Sequence, residues 1–353
     1  MENIEALERR LWSAADQLRS NSKLTSTEYY MPVLGLIFLR HAYNRYLAVK
    51  KQIEKKLPKR GGVARPLTKD DFRAKSALFL RKESQYDHLL NLPEGADRSQ
   101  AIIDAMTYIE EDYTALAGVL PKEYQIFDSD LLASLLKTFN DEALRSSKGD
   151  IFGRIYEYFL MKFAMAGAQD AGEFFTPVSL VQTIVNVIEP QHGLVLDPAC
   201  GSGGMFVQTS HFLENIGKDT HHAVTFYGQE KTTTTIKLAK MNLAVHGLEG
   251  NIIEGNTFYE DNHNMYGKAD FVMANPPFNV DEVDAEKIKN DVRLPFGLPG
   301  VNKNKKVSNG NYLWISYFYS YLNEKGRAGF VMSSQASAAG HGERDVRRKI
   351  VGT

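Results

Sequence analysis

The second part of the chain alternates short apolar runs with helix-forming segments, and this alternation restricts the possible fold more than any other feature. Such alternation is typical of a doubly wound, mainly parallel β-sheet with helices on both faces. The predicted strands are 193–197, 224–229, 251–254, 269–274 and 327–333. The predicted helices are 178–189, 203–215, 231–246 and 311–323. Ligands of these sheets bind beyond the carboxyl ends of the strands, so the turns at those ends form the candidate site.

Residues 1–165 follow a different pattern, which predicts an all-α N-terminal domain. Between Ile4 and Leu18, apolar residues recur every three or four positions and give a helix one apolar face. Further predicted helices are 99–117, 129–138 and 150–165, and the predicted loops are 57–71 and 91–98. Two domains are therefore expected, a helical one at 1–165 and an α/β one at 166–353.

Composition excludes several classes of protein. The content of 43% hydrophobic and 24% charged residues is that of an ordinary globular protein. The longest strongly apolar run, Val33 to Leu39, is too short to span a bilayer, so no membrane contact is expected. Cys200 is the only cysteine, which excludes an internal disulfide and indicates a cytoplasmic protein. His221 and His222 have no further ligand residues nearby, so no metal site is expected.

The charge of the chain limits how it can bind nucleic acid. The formal net charge is −1, whereas a protein that binds DNA by itself is usually more basic. If DNA is the substrate, local basic patches or a partner must supply much of the attraction for phosphates.

A glycine-rich turn follows the first predicted strand of the sheet. The strand ends at Asp197, and residues 198–204 read Pro-Ala-Cys-Gly-Ser-Gly-Gly. The turn lacks the third glycine of the dinucleotide motif and the Lys-Ser/Thr pair of a Walker loop. Because no phosphates need to be held, such a turn suits a nucleoside joined to an amino acid. The predicted ligand-binding residues are Asp197, Gly201, Ser202, Gly203 and Gly204. An ordinary strand–helix turn without a ligand is the alternative.

Two further polar residues stand at the ends of the next two predicted strands. Glu230 ends the second strand, where an acidic residue can accept hydrogen bonds from both hydroxyls of a ribose. Asn256 follows the third strand, and its amide oxygen can accept a hydrogen from an amino group.

Asn275-Pro276-Pro277-Phe278 follows the fourth predicted strand and carries the predicted chemistry. The Asn275 side-chain oxygen and the Pro276 carbonyl are acceptors for the two hydrogens of an exocyclic amino group, such as N6 of adenine. Binding both hydrogens favours a tetrahedral nitrogen, which frees its lone pair to attack a sulfonium methyl group. The prolines keep the acceptors aimed, and Phe278 can stack on a base that has left the duplex. The alternative is a proline-rich turn with an incidental aromatic residue.

The segment Glu173-Phe174-Phe175-Thr176-Pro177-Val178 precedes the glycine-rich turn. Its aromatic and hydroxyl groups can close over the amino-acid end of a cofactor. Alternatively, Phe174 and Phe175 are core residues, and Thr176 caps the next helix with Pro177 at its first position.

These motifs, in this order, resemble the amino-DNA methyltransferases in which the cofactor-lid motif comes first. Segments 30–40 and 149–158 are similar to the N-terminal domain of the methylation subunits of type I restriction–modification systems. The resemblance covers nearly the whole chain. It implies a doubly wound, Rossmann-like, S-adenosylmethionine-dependent methyltransferase domain preceded by an all-α domain.

The resemblance also implies an activity and partners. The activity is methyl transfer from S-adenosylmethionine to N6 of adenine in DNA, at a sequence chosen by a specificity subunit. The implied partners are DNA, the specificity subunit, a second methylation subunit and an ATP-driven restriction (translocase) subunit. The resemblance assigns cofactor binding to 173–178, 201–204 and 230, and target binding to 275–278. Many relatives have Asp where this chain has Asn256.

The sequence also allows alternative functions and alternative methyl acceptors. The chain ends at Thr353, soon after the fifth predicted strand, so the C-terminal strands of the fold are expected to be truncated. An inactive scaffold that binds cofactor or a partner is therefore one alternative. Cytosine N4 and a protein glutamine are alternative methyl acceptors, although glutamine methylases favour Tyr where this chain has Phe278.

Overall fold

The computed structural model of the chain describes residues 4–21, 24–57, 59–60, 63–73, 75, 77–146, 151–167, 175–338 and 340–352. The chain divides into two compact units, Met1–Gly172 with Ala244–Leu248, and Glu173–Leu243 with Glu249–Thr353. The domain ranges 1–165 and 166–353 stay predictions. Within the described residues, no helix combines the length and the apolar composition that crossing a membrane requires.

In its described residues, the first unit combines helices with one short antiparallel pair of strands. Its elements are α1 (Ile4–Asn21), α2 (Ser26–Lys56), β1 (Lys59–Arg60), β2 (Val63–Ala64), α3 (Lys69–Arg73), α4 (Tyr86–Leu90), α5 (Arg98–Asp112), α6 (Ser129–Thr138), α7 (Glu142–Ser146) and α8 (Ile151–Met165). Helix α2 is buried on every side from Tyr29 to Arg40, as expected for a segment that is apolar all round. Gly35 allows this close packing, because a Cβ there would overlap Pro121 and Tyr124.

Two predictions for the first unit need correction. The predicted helix at 99–117 ends at Asp112, because Tyr113 is extended with φ −133°, and a separate 3₁₀ turn follows at Thr114–Leu116. The predicted loop at 57–71 contains β1, β2 and the start of α3.

The second unit contains the predicted parallel sheet. Its elements are α9 (Val178–Ile188), β3 (Gly193–Asp197), α10 (Gly204–Asn215), α11 (Thr220–Ala223), β4 (Val224–Glu230), α12 (Thr233–Val245, of which Ala244 and Val245 belong to the first unit), β5 (Asn251–Glu254), β6 (Ala269–Ala274), β7 (Val283–Asp284), α13 (Ala285–Ile288), β8 (Lys306–Val307), α14 (Asn311–Tyr321), β9 (Leu322–Phe330) and α15 (His341–Val351). The five-stranded sheet has the order β5-β4-β3-β6-β9, and all its pairs are parallel. The order reverses between β3 and β6, which is where ligands bind in doubly wound sheets.

The fifth strand differs from its prediction. It spans Leu322–Phe330 rather than 327–333, and the predicted helix at 311–323 ends at Tyr321. Leu322 pairs with Ala269, and the register then shifts before Arg327 pairs with Phe271. The strand therefore includes a polar, irregular first half that has no apolar alternation in the sequence.

Helix α14 packs its aromatic face on β6 and β9. The ring of Phe318 lies 4.9 Å from that of Phe330, and the ring of Trp314 lies 4.7 Å from that of Phe258. On another side, Gly329 allows a close approach of α9, because a Cβ there would lie 2.8 Å from Ile188. This packing holds the start of α9 and the start of α14 near the carboxyl ends of the strands.

Candidate active site

Two clefts lie at the carboxyl ends of the central strands. The first is lined by Thr176, Asp197, Ala199, Cys200, Gly201, Ser202, Gly204, Met205 and Asn275. The second is open, has a volume of about 590 Å³ and is lined by Lys231, Thr232, Glu254, Gly255, Asn256, Glu260 and Asn262. Predicted site residues from the lid segment, the glycine-rich turn and the Asn-Pro-Pro-Phe motif therefore meet in one cleft, and Asn256 lies in the other.

The glycine-rich turn has a backbone that suits close contact with a ligand. Gly201 and Gly203 have φ values of 51° and 78°, which favour glycine over other residues. The Gly203 N–H donates to the Cys200 carbonyl at 2.8 Å, and the Cys200 N–H donates to the Gln229 carbonyl at 3.2 Å. The turn is thus closed on itself and held against β4.

Glu230 is not among the lining residues of either cleft, but it forms hydrogen bonds to residues of both linings. Its carboxylate accepts hydrogen bonds from the N–H groups of Gly201 at 3.3 Å, Lys231 at 2.9 Å and Thr232 at 3.1 Å. Burial raises the pKa of Glu230, and these three N–H groups oppose that rise by stabilising the charged form. Backbone N–H groups of the glycine-rich turn and of the residues that follow β4 therefore fix the orientation of the carboxylate.

Asp197, the last residue of β3, forms a hydrogen bond with the backbone of the glycine-rich turn. The residue is 2% exposed, and its Oδ1 accepts the Ala199 N–H at 3.0 Å. Burial raises the pKa of Asp197 to about 8, and the neighbouring charge of Glu230 contributes to the rise. A carboxyl group this deeply buried favours its neutral, protonated form.

Replacing Asp197 with asparagine is expected to flatten the pH dependence of stability, because the amide oxygen still accepts the Ala199 N–H but the group no longer titrates. The pKa of Asp197 is raised from 3.8 in the unfolded chain to about 8 in the folded one, so folding takes up a proton. The resulting stabilisation is complete below the lower value and is lost as pH rises through the upper one. Thermal unfolding of both proteins between pH about 5 and about 9 measures this difference. Parallel pH profiles would contradict the prediction.

A hydrogen bond between two of its own residues stabilises the turn after β5. The amide oxygen of Asn256 accepts the Phe258 N–H at 3.1 Å, so the predicted contact with a ligand amino group would use the second lone pair of this oxygen. Two buried residues tie the turn to its neighbours. Thr257 Oγ1 donates to the Pro198 carbonyl at 2.6 Å, and Gln229 Nε2 donates to Thr257 Oγ1 at 2.8 Å.

Arg293 supports the same turn and was not identified from the sequence. Its side chain donates to the carbonyls of Thr257 and Glu260, both at 3.0 Å, and to the Tyr321 hydroxyl at 2.7 Å. It also pairs with Asp291 at 2.6 Å. An Arg-Asp pair in a polar stretch carries no sequence signal that separates it from surface charges.

Asn275 directly follows β6, and its side chain presents an acceptor that is unpartnered within the described part of the chain. Its Nδ2 donates to Thr176 Oγ1 at 3.1 Å. Its Oδ1 is buried and has no hydrogen-bond partner among the described residues. A buried polar atom in this state is unusual and calls for a ligand or a water molecule. Phe278, three positions on, is 40% exposed and can contact a bound molecule.

The end of the Asn-Pro-Pro-Phe motif is held by an asparagine cluster at the start of α14. Asn279 has φ 53°, and its N–H donates to Asn311 Oδ1 at 2.9 Å. In return, Asn311 Nδ2 donates to Asn279 Oδ1 at 2.9 Å, and Asn309 Nδ2 donates to the same oxygen at 3.3 Å. No local signal distinguishes these residues in the sequence, because polar residues are common at any helix start.

The lid segment is described only from Phe175 onward. Glu173 and Phe174 lie outside the described residues, so the roles predicted for them stay predictions. Phe175 is half-buried. Pro177, rather than Thr176, is the N-cap residue of α9, and the Thr176 side chain contacts Asn275 instead. The capping role that was the alternative for Thr176 is therefore wrong.

Comparisons with known proteins agree with this architecture. A family model described as N-6 DNA Methylase matches residues 147–353, and one described as HsdM N-terminal domain matches residues 7–139. The type I restriction enzyme MjaIX methylase subunit of Methanocaldococcus jannaschii is 36% identical over 98% of this chain and 64% of its own length. The HindI methylase subunit of Haemophilus influenzae is 34% identical over 72% of this chain and 58% of its own length.

A solved structure has the same fold. The methyltransferase subunit of a type I restriction–modification system from Streptococcus thermophilus matches with a TM-score of 0.78 and 20% identity, over 99% of this chain and 79% of that one. The predicted fold class is thereby confirmed. The chain spans about two thirds or less of the length of the two curated relatives, 64% and 58%. With a match over more than half its length, the chain belongs to the N-6 DNA methylase family.

Proposed function

We propose that this chain transfers a methyl group from S-adenosylmethionine to N6 of adenine in DNA, as part of the methylation subunit of a type I restriction–modification system. One observation carries the proposal. The Asn275 Oδ1 is buried and unpartnered among the described residues, in a cleft that the glycine-rich turn also lines. An acceptor placed there suits an amino group, which brings hydrogens to donate.

The residues around the clefts fit S-adenosylmethionine. Gly201 and Gly203 leave the backbone of the turn open to the ligand, and Glu230 offers a carboxylate to the ribose hydroxyls. Asn256 lines the open second cleft, which has room for a nucleoside base. When bound, the cofactor supplies an electrophilic methyl group on its sulfonium. The net effect of these residues would be to hold that group in place.

The remaining residues act on the acceptor. Asn275 Oδ1 accepts one hydrogen of the adenine amino group, and the Pro276 carbonyl accepts the other. Both acceptors withdraw the amino hydrogens from the plane of the base, so the nitrogen lone pair becomes available. Pro276 and Pro277 limit the backbone freedom of the motif. Phe278 stacks on the flipped base. No titrating base is required, since methylation makes the nitrogen cationic and acidic enough to release its proton to solvent.

The partners follow from the proposed system. They are DNA, a specificity subunit that selects the sequence, a second methylation subunit and a restriction (translocase) subunit. Support comes from the relatives, which are named as methylase subunits of type I restriction enzymes. The near-neutral charge of −1 agrees with a protein that leaves much of the DNA contact to a partner. A cytoplasmic location agrees with the same partners.

Cofactor binding is tested by calorimetric titration of S-adenosylmethionine into the protein and into Glu230→Ala. Losing a charged hydrogen-bond acceptor is expected to weaken binding about 10- to 100-fold. Glu214→Ala serves as the control, because Glu214 is an exposed residue of α10 in the same unit. Equal affinities of the parent and Glu230→Ala would contradict the assignment of Glu230.

Methyl transfer is tested with the specificity subunit and unmethylated genomic DNA, followed by mass spectrometry of the nucleosides. The expected product is N6-methyladenine. Detection of N4-methylcytosine would instead identify cytosine as the methyl acceptor. Cofactor binding without any methylated nucleoside would support an inactive scaffold instead.

A further inference from the structure

We infer that Thr176 is a positioning residue that holds the Asn275 amide with its oxygen toward the methyl acceptor; this inference rests on the proposed function. The observation is the hydrogen bond from Asn275 Nδ2 to Thr176 Oγ1 at 3.1 Å, together with the unpartnered Oδ1 at the other end of the same amide. Both residues line the first cleft.

The orientation of this amide decides whether Asn275 can act. The two ends of an asparagine amide are similar in size, but the oxygen accepts hydrogen bonds and the NH₂ group only donates them. A rotation by half a turn would present NH₂ to the adenine amino group, which also donates. Asn275 then offers no acceptor, so a neighbour has to select the productive orientation.

Thr176 is able to make that selection. A threonine hydroxyl can both accept and donate a hydrogen bond. When its own hydrogen is donated to another acceptor, it can only accept from the amide, and it therefore pairs with the NH₂ group rather than with the oxygen. Thr176 lines the cleft of the glycine-rich turn, where the carboxylate of a bound S-adenosylmethionine would supply such an acceptor. Cofactor binding and the orientation of Asn275 would then be coupled through one hydroxyl group.

The positions of both residues are set by packed elements. Thr176 directly precedes Pro177, the N-cap of α9, and α9 buries Val181, Val185 and Ile188. Asn275 directly follows β6, a strand inside the sheet. The hydrogen bond thus joins two segments that are 99 residues apart in sequence.

The test compares methyl transfer by the parent, Thr176→Val and Thr176→Ser, with the specificity subunit and unmethylated genomic DNA. Valine has nearly the shape of threonine but no hydroxyl, so the turnover at saturating cofactor is expected to fall about 100-fold, as for a misplaced catalytic group. Serine keeps the hydroxyl and should restore most of the activity. Thr183→Val is the matched control, because the Thr183 hydroxyl is in an exposed position and donates to the Ser179 carbonyl of the same helix, α9.

A second background separates positioning from simple structural support. In Asn275→Asp, both ends of the side chain are acceptors, so no orientation has to be selected. Thr176→Val should therefore cost far less turnover in this background than in the parent. If Asn275→Asp is inactive, the inference is judged by the turnover of Thr176→Val compared with that of Thr176→Ser.

Three results would overturn the inference. One is a Thr176→Val protein as active as the parent, and another is an equal loss of turnover in both backgrounds. The third is a Thr176→Ser protein whose turnover is no higher than that of Thr176→Val. A parent protein that binds cofactor but forms no N6-methyladenine would instead refute the proposed function, and the inference would fall with it.

Discussion

Replacing Asn275 with alanine is expected to lower the rate of methyl transfer about 100- to 1,000-fold, as the loss of one preorganised hydrogen-bonding group does in other active sites. The variant removes the buried Oδ1 that has no partner among the described residues. It leaves the glycine-rich turn and Glu230 in place, and these carry the other contacts predicted for the cofactor. The turnover should therefore fall much more than the affinity for S-adenosylmethionine.

The measurement pairs N6-methyladenine formation with calorimetric titration of the cofactor. Asn186→Ala is a suitable control, since Asn186 is exposed on α9 and its amide bonds the Gln182 carbonyl of the same helix. An Asn275→Ala protein with parental turnover would exclude the Asn-Pro-Pro-Phe motif as the centre of the reaction. Loss of cofactor binding in parallel with turnover would indicate a role in the pocket rather than in activation of the amino group.

Replacing Arg293 with methionine is expected to destabilise the second unit by about 3–5 kcal/mol, the usual cost of leaving one partner of a buried ion pair alone. Arg293 is only 2% exposed. Burial works against its charge, but the hydrogen bonds to Asp291 and the charge interactions with Tyr321 and Tyr317 more than compensate, and the pKa of Arg293 is raised. Methionine has a similar length, yet it leaves Asp291 and the carbonyls of Thr257 and Glu260 without these donors.

Chemical denaturation of the parent and of Arg293→Met measures this loss. Arg344→Met is the control, because Arg344 is an exposed arginine in the same unit. Lysine at position 293 is not expected to rescue stability, since one ammonium group cannot reproduce the several directed hydrogen bonds of a guanidinium. Cofactor affinity should fall as well, because Glu260 also lines the second cleft. An unchanged denaturation midpoint would show that the Arg293 network adds no net stability.

The strands that the sequence predicted well are the ones with a dense apolar pattern. Strand β6, Ala269–Ala274, coincides with its predicted range, since most of its residues are buried between helices and read as one apolar run. Strand β9 begins five residues before its predicted start, because Leu322 pairs with Ala269 across a register shift. Pairing of this kind depends on the partner strand, and the residues that follow Leu322 carry no alternation that would reveal it.

The fold class, the glycine-rich turn and the Asn-Pro-Pro-Phe motif could all be predicted from the sequence alone. Each of these depends on local chemistry, such as glycine at positive φ, proline beside an acceptor, or apolar runs at strand spacing. The residues that hold the site together became apparent only from the three-dimensional packing. Arg293, Gln229 and Asn311 act through hydrogen bonds to segments far away in the chain. Such bonds form only after the sheet and helices have packed, so no local pattern of residues can predict them.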